Sequence, residues 1–241
     1  MHDRQTLTAQ LKALGLPIDR PVMVHAGLRL IGPIEGGADT LIDALLDAIA
    51  PGGTMMMMVA ERGDVPFDRL TTPADPENGV LAEIVRRRAG NGVSDHPASR
   101  FAAIGPDAPA LLSPVPLHDY YGPGSPLERF VAMRGQVLRL GASPDTVTLM
   151  HYAEYLADLP TKRRVRRDYV RADTGALTID SLDDSDGIAE WPHGDYFPQI
   201  LLDFLGEGRA RTGPVGNCIA QLIDGATFTA FATRWMEREL R

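Results

Sequence analysis

Apolar positions along this chain follow two rhythms that alternate from the start. In residues 6–16, Leu7, Leu11 and Leu14 recur at helical spacing and Gly15 follows as a stop. In 38–49 a stronger stripe of Leu41, Ile42, Leu45, Leu46 and Ile49 is closed by Pro51-Gly52-Gly53. Short unbroken apolar runs at 22–25, opened by Pro21, and at 54–60 read as buried strands on either side of that second helix. Strand, helix and strand in this order predict a parallel pairing with a right-handed crossover. The four consecutive methionines at 55–58 suit core filling, because Met packs irregular gaps.

Residues 61–78 are rich in Asp, Pro and Gly and read as a long loop. Helical periodicity resumes over 79–88 through Val80, Leu81, Ile84 and Val85, and further strands are expected near 101–104 and 137–140, each followed by a helix. Over 164–179 the pattern changes to Val165, Tyr169, Val170 and Leu177 around Thr174-Gly175, a hairpin signal. Closing helices are expected over 196–205 and 228–240. No repeat, low-complexity tract or linker breaks the sequence. Residues 1–241 are therefore expected to form a single mixed α/β domain with a central, partly parallel sheet and an antiparallel hairpin excursion.

Composition narrows the function classes. At 44% hydrophobic and 23% charged residues, the chain has the makeup of an ordinary globular protein. Its 24 basic against 32 acidic residues give a net charge of −8, which disfavours nucleic acid as a partner and suits a cationic small molecule. A single cysteine, Cys218, leaves no internal disulfide framework and fits a reducing compartment. No apolar run is long enough for a membrane span, and Met1-His2-Asp3-Arg4-Gln5 has no apolar signal core, so a cytoplasmic location is expected.

The densest chemical signal follows the Gly-rich turn at 140–146, with Asp145 or Thr146 expected to cap a helix. On that helix His151 and Glu154 lie three residues apart and share a face. A carboxylate beside an imidazole orients the ring and favours its protonated form, as a general base requires when it accepts a proton. Transfer of an acyl group to an amine needs such a base, donors for the developing oxyanion, and both reactants held in line. His151 and Glu154 are thus the candidate catalytic residues. Glu61 and Asp64 open the long loop at a strand end and are candidate ligands for a cationic substrate. No His, Cys or Asp cluster has metal-ligand spacing, so no metal is expected.

Four further stretches accompany His151-Tyr152-Ala153-Glu154. They are Val22-Met23-Val24-His25-Ala26-Gly27-Leu28 with Gly32-Pro33, Pro51-Gly52-Gly53-Thr54-Met55, Ser94-Asp95-His96-Pro97 with Arg100-Phe101-Ala102-Ala103, and Tyr121-Gly122-Pro123-Gly124-Ser125-Pro126-Leu127-Glu128. In order and spacing, over about residues 21–217, the five resemble the aminoglycoside 3-N-acetyltransferase family. The resemblance implies an α/β fold distinct from the small GNAT-type acetyltransferases. It also implies transfer of acetyl from acetyl-CoA to an amine of an aminoglycoside antibiotic, hence resistance.

By the same resemblance, His151 matches the family's catalytic base. His25, Ala26, Gly27 and Leu28 match a loop whose backbone amides meet the acetyl-CoA arm. Ser94 and His96 match a loop along the coenzyme, and Ser125 heads a helix whose free amides suit a phosphate, with plain capping of that helix as the alternative. Asp183 matches an acidic residue of the substrate site. Gly27 stands where many relatives carry serine, so any hydroxyl contribution there is missing. The basic run from Lys162 to Arg167 is read as a solvated face, with coenzyme phosphates as the alternative. An acyltransferase of this fold acting on another small amine, and a coenzyme or antibiotic binder without turnover, remain open beside the leading reading. A monomer or a homodimer is compatible with the sequence.

Overall fold

A computed structural model describes all 241 residues. Helix α1 (Arg4–Leu14) opens on Asp3, whose side chain accepts from the Thr6 amide, and ends on Gly15 in the left-handed conformation. Strand β1 (Pro21–Ala26) leads into a short α2 (Leu28–Ile31) and then α3 (Gly37–Ile49) and β2 (Thr54–Met58). The long loop carries only a 3₁₀ turn, Pro76–Asn78, before α4 (Val80–Ala89) and β3 (Phe101–Ile104). Then come α5 (Ala108–Leu112), α6 (Pro126–Ala132), β4 (Gln136–Leu140) and α7 (Leu149–Leu156). The hairpin β5 (Arg164–Arg171) and β6 (Gly175–Leu182) precedes α8 (Tyr196–Gly206), β7 (Arg211–Val215), β8 (Cys218–Asp224) and α9 (Gly225–Glu239).

The main sheet runs β3-β2-β1-β4-β8-β7, and the hairpin stands apart from it. Strand β1 pairs parallel with β2, as the strand–helix–strand reading predicts, and pairs parallel with β4 on its other side. The remaining pairings, β2 with β3, β4 with β8 and β8 with β7, are antiparallel. Alternate side chains feed two cores. Met23, Met56, Phe101, Val137 and Ile223 pack beneath α5 to α9, while Val22, Val24, Met55, Met57 and Leu138 pack against α1, α3 and α4. Three of the four methionines are fully buried; the fourth, Met58, sits at the end of its strand.

Strands β7 and β8 escape the sequence reading. Arg211–Val215 contains Gly213 and Pro214, and the next strand mixes Gln221 and Asp224 among its apolar residues, so neither has a clean two-residue period. Proline is admitted because β7 is an edge strand, where no ladder partner needs its missing amide.

The hairpin is held over the body by the long loop. The Phe67 amide donates to the Val170 carbonyl at 2.7 Å and the Ala172 amide donates to the Phe67 carbonyl at 2.8 Å. The loop in turn hangs on Arg100, which is fully buried and donates to the carbonyls of Val59, Thr72 and Pro73 at 2.6–2.8 Å. Burial pulls its pKa down to about 10, still far enough above neutrality to keep the charge.

Candidate active site

Helix α7 begins at Leu149, later than the sequence suggests, and Thr148 ahead of it makes no side-chain cap. The reason is local. Asp145 spends its carboxylate on the hydroxyls of Ser143 and Thr146, closing a turn where the Thr146 amide donates to the Ser143 carbonyl. The face-sharing of His151 and Glu154 is as expected: Nδ1 of His151 meets Oε2 of Glu154 at 3.0 Å. Glu154 is 1% exposed. Its other oxygen accepts from the Tyr196 hydroxyl, which itself accepts from the Ile188 amide at 2.9 Å.

A buried carboxylate held from both sides needs this pairing, because an uncompensated buried charge is costly. Burial disfavours the imidazolium of His151, but the hydrogen bond and charge of Glu154, helped by Asp184 and Asp195, outweigh it and raise its pKa above the ordinary value. With Nδ1 engaged, Nε2 is the nitrogen left for a reactant.

His151 opens onto a cavity of about 670 Å³ whose wall is strongly acidic. Asp145, Glu154, Asp184, Asp186, Glu190 and Asp195 line it, against Arg163 as the one arginine. Trp191 and Phe197 add aromatic surface. Asp195 also caps α8 through the Phe197 amide, which places Tyr196 and Phe197 in the first turn beside the histidine. The Asp-Tyr-Phe triplet at 195–197 is a legible cap, but nothing in sequence says that its helix faces α7.

A second groove, about 730 Å³, lies at the carboxyl ends of β1, β2 and β4, where ligands bind in open α/β sheets. His25, Ala26, Gly27 and Leu28 line it, with Met57, Met58, Gly79, Val80 and the turn residues Gly141, Ala142, Ser143, Thr146 and Thr148. The turn between β4 and α7 thus borders both spaces, with Asp145 facing the acidic cavity. The Gly27 amide is already committed to the Leu140 carbonyl at 2.9 Å, so it is no donor to a ligand. The free donors lie one residue on, in the first turn of α2 at Leu28 and Arg29.

His25 is buried beside Arg139, and its Nε2 has no hydrogen-bond partner. Burial first, and then the arginine charge, push its pKa down to about 3, so it is a neutral imidazole.

Other sequence candidates fall elsewhere. His96 is buried with both ring nitrogens in use, Nε2 against the Leu117 carbonyl at 3.0 Å and Nδ1 accepting from the Ala98 amide at 3.2 Å. Burial lowers its pKa to about 4. Ser94 donates to the Ser99 carbonyl and accepts from the Phe101 amide, and Ser125 caps α6 through the Glu128 amide. None of these three lines the groove, and Ser94 lines a separate one beside Asp95 and Ala103.

Asp183 is also turned inward. It accepts from the amides of Ser185 and Asp186 at 3.1 Å and stands 3.5 Å from Arg167, shaping the turn that presents Asp184 and Asp186. Glu61 is half-buried, with burial raising its pKa, and accepts from the Gly63 amide; Asp64 is exposed opposite Arg62. Neither lines the acidic cavity.

The basic run is accounted for within the chain. Arg164 pairs with Asp119, Arg166 with Asp180, and Arg167 with Asp184, while Lys162 donates to the Tyr155 carbonyl. No group of three His, Cys, Asp or Glu side chains is placed to hold a metal ion.

The family model described as aminoglycoside 3-N-acetyltransferase matches residues 23–237. Aminoglycoside N(3)-acetyltransferase III of Pseudomonas aeruginosa is 35% identical over 261 aligned positions, covering 98% of this chain and 94% of that protein. Aminoglycoside N(3)-acetyltransferase VII of Streptomyces paromomycinus is 36% identical, covering 98% and 92%. Among solved structures, AAC-IIIb binary with CoASH superposes with a TM-score of 0.93 at 36% identity, over 99% of this chain and 97% of that one. AAC-VIa bound to sisomicin superposes at 0.91 with 35% identity, over 98% and 97%. These matches confirm the fold expected from the sequence, and this chain belongs to the aminoglycoside 3-N-acetyltransferase family.

Proposed function

We propose that the protein transfers the acetyl group of acetyl-CoA to the 3-amino group of an aminoglycoside, and so confers resistance to that antibiotic. The observation that carries the reading is the pairing of a glutamate-bound histidine with a six-carboxylate cavity, adjoining a groove at the ends of parallel strands. The acidic wall concentrates a polycation and is relieved of its own repulsion by it. The groove receives the coenzyme arm, for which it offers the first-turn amides of Leu28 and Arg29.

In the reaction, the neutral amine nitrogen attacks the thioester carbonyl. As the new C–N bond forms, Nε2 of His151 takes the nitrogen's proton. The C–S bond then breaks, and the leaving thiolate takes the proton back from Nε2 of His151, giving the amide, free coenzyme thiol and a neutral imidazole. Glu154, itself held by the Tyr196 hydroxyl, is the counter-charge of the imidazolium in the meantime. Both cores are built on one six-stranded sheet, which supports reading 1–241 as one catalytic domain. The single cysteine and the absence of a helix long and apolar enough to cross a membrane support a cytoplasmic enzyme.

The direct test is release of thiol from acetyl-CoA across a panel of aminoglycosides and neutral amino sugars. Turnover with the former and not the latter is expected. Turnover with weakly charged amines alone would move the assignment to another acceptor.

Two further outcomes follow from the geometry. Glu190 is almost wholly exposed at the cavity rim, and Asp186 lines the same wall. Glu190→Gln combined with Asp186→Asn should raise the acceptor's KM while leaving kcat and the KM for acetyl-CoA in place. Added salt should mimic this, since it screens exposed charges beyond about 8–10 Å. A flat acceptor KM across both tests would remove the acidic wall from recognition.

On the coenzyme side, a Cβ at Gly27 would collide with the Gly141 carbonyl oxygen, so the two loops framing the groove must part to admit it. Gly27→Val should weaken acetyl-CoA binding roughly tenfold, since overpacking of this kind costs about 1–3 kcal/mol. Calorimetry reads the affinity, and an unchanged value would place the coenzyme elsewhere.

A further inference from the structure

The hydrogen bond that Nδ1 of His151 donates to Glu154 fixes one atom of the ring but does not fix its plane, because the outer torsion of histidine has only broad minima. Something else must set where Nε2 points. Tyr121 lies flat against the imidazole, with centroids 4.9 Å apart and planes within 11°. It is 2% exposed and cannot itself swing. Tyr120 stands edge-on to it at 4.8 Å, Phe101 does the same at 6.4 Å, and its hydroxyl donates to the Ala98 carbonyl at 3.3 Å. Phe197 touches the same imidazole at 5.1 Å, tilted by 59°, but it is only partly buried and belongs to a different helix.

We propose that Tyr121 is a positioning residue for His151: its immobile ring fixes the plane of the imidazole, and Glu154 fixes the rotation within that plane, so that Nε2 is presented to the acceptor cavity. This rests on the reading of His151 as the base. An aromatic face also favours a neighbouring cation, so the stack supports the imidazolium formed when the proton is taken. It does so alongside Glu154 on the same helix, Asp184 just past the hairpin and Asp195 at the head of α8. Asp145, Asp186, Glu190 and Arg163 complete the charged groups of the shared cavity.

The test compares Tyr121→Phe, which keeps the ring and loses the hydroxyl, with Tyr121→Leu, which fills the space without a π-face. His151→Ala serves as the reference. Acetyl-CoA affinity by calorimetry reports that each protein is folded, and Tyr121→Met replaces the leucine variant should that one not fold. The phenylalanine variant should keep kcat close to wild type. The aliphatic variant should lose roughly tenfold in kcat, the scale of a small misalignment, with the KM for acetyl-CoA unchanged. Its acidic limb in the pH profile should move down by about half a pH unit, the worth of a modest cation–π contact.

An aliphatic variant with wild-type kcat and an unmoved limb, beside an inactive His151→Ala, overturns the inference alone. Equal losses in the phenylalanine and aliphatic variants would assign the effect to the hydroxyl and overturn it as well. A fully active His151→Ala would instead remove the reading of the base on which it rests.

Discussion

Replacing His151 with alanine is expected to lower turnover by roughly 10²-fold or more, the usual contribution of a positioned proton acceptor, while acetyl-CoA still binds. The affinity should survive because the groove at the ends of β1, β2 and β4 is lined by other residues, and the histidine faces the acidic cavity. The loss should appear in kcat and kcat/KM together, since the proton moves only on the way to the transition state. Stopped turnover with intact coenzyme affinity is the signature; near wild-type turnover would take His151 out of the mechanism.

The second large effect belongs to Glu154→Gln. The substitution keeps shape and removes the charge that, with its hydrogen bond, most raises the basicity of His151 against burial. Its sign follows from the chemistry. The neutral imidazole is the active form, so rate rises with pH through the histidine's pKa, and in the wild-type enzyme that limb lies above the ordinary value of about 6.5. Without the carboxylate, burial acts with less opposition and the limb moves to lower pH. The imidazolium formed in the reaction also loses its counter-charge, so the pH-independent rate should fall by roughly tenfold or more. The amine's own titration is untouched by this change, which separates the two sources of a pH limb. An unmoved limb with full activity would leave Glu154 as a packing residue only.

What could be read from the chain and what could not divide along physical lines. The parallel pair of β1 and β2 was visible because both strands are buried on both faces and therefore read as unbroken apolar runs, as at Val22-Met23-Val24, whereas Arg139 interrupts β4. The His151–Glu154 pair was visible because three-residue spacing on a helix is a local property. The walls of the site are different. Tyr121, Asp184 and Tyr196 come from a loop, a hairpin end and a later helix, and they meet His151 only through tertiary packing.

Loop residues were placed by resemblance in motifs whose side chains, once folded, point inward. Ser94, His96 and Ser125 satisfy buried backbone groups, as most buried polar side chains must. Asp183 and Asp184 show how fine the distinction is. Adjacent carboxylates take opposite sides of one turn, the first bonding its amides and the second reaching Tyr120 and the cavity wall. No sequence pattern separates such neighbours, because which of them faces the cavity depends on where the hairpin docks.

The central claim is acetyl transfer to the 3-amine of an aminoglycoside, and the most direct measurement follows the acetyl group itself. The purified protein is incubated with isotope-labelled acetyl-CoA and a polycationic aminoglycoside, and the product is assigned by NMR. The account predicts one labelled acetyl amide on the 3-amino nitrogen, formed with one equivalent of free thiol and absent with His151→Ala. Label on a different amine, label on the protein alone, or no label on the antibiotic under saturating acetyl-CoA would contradict it.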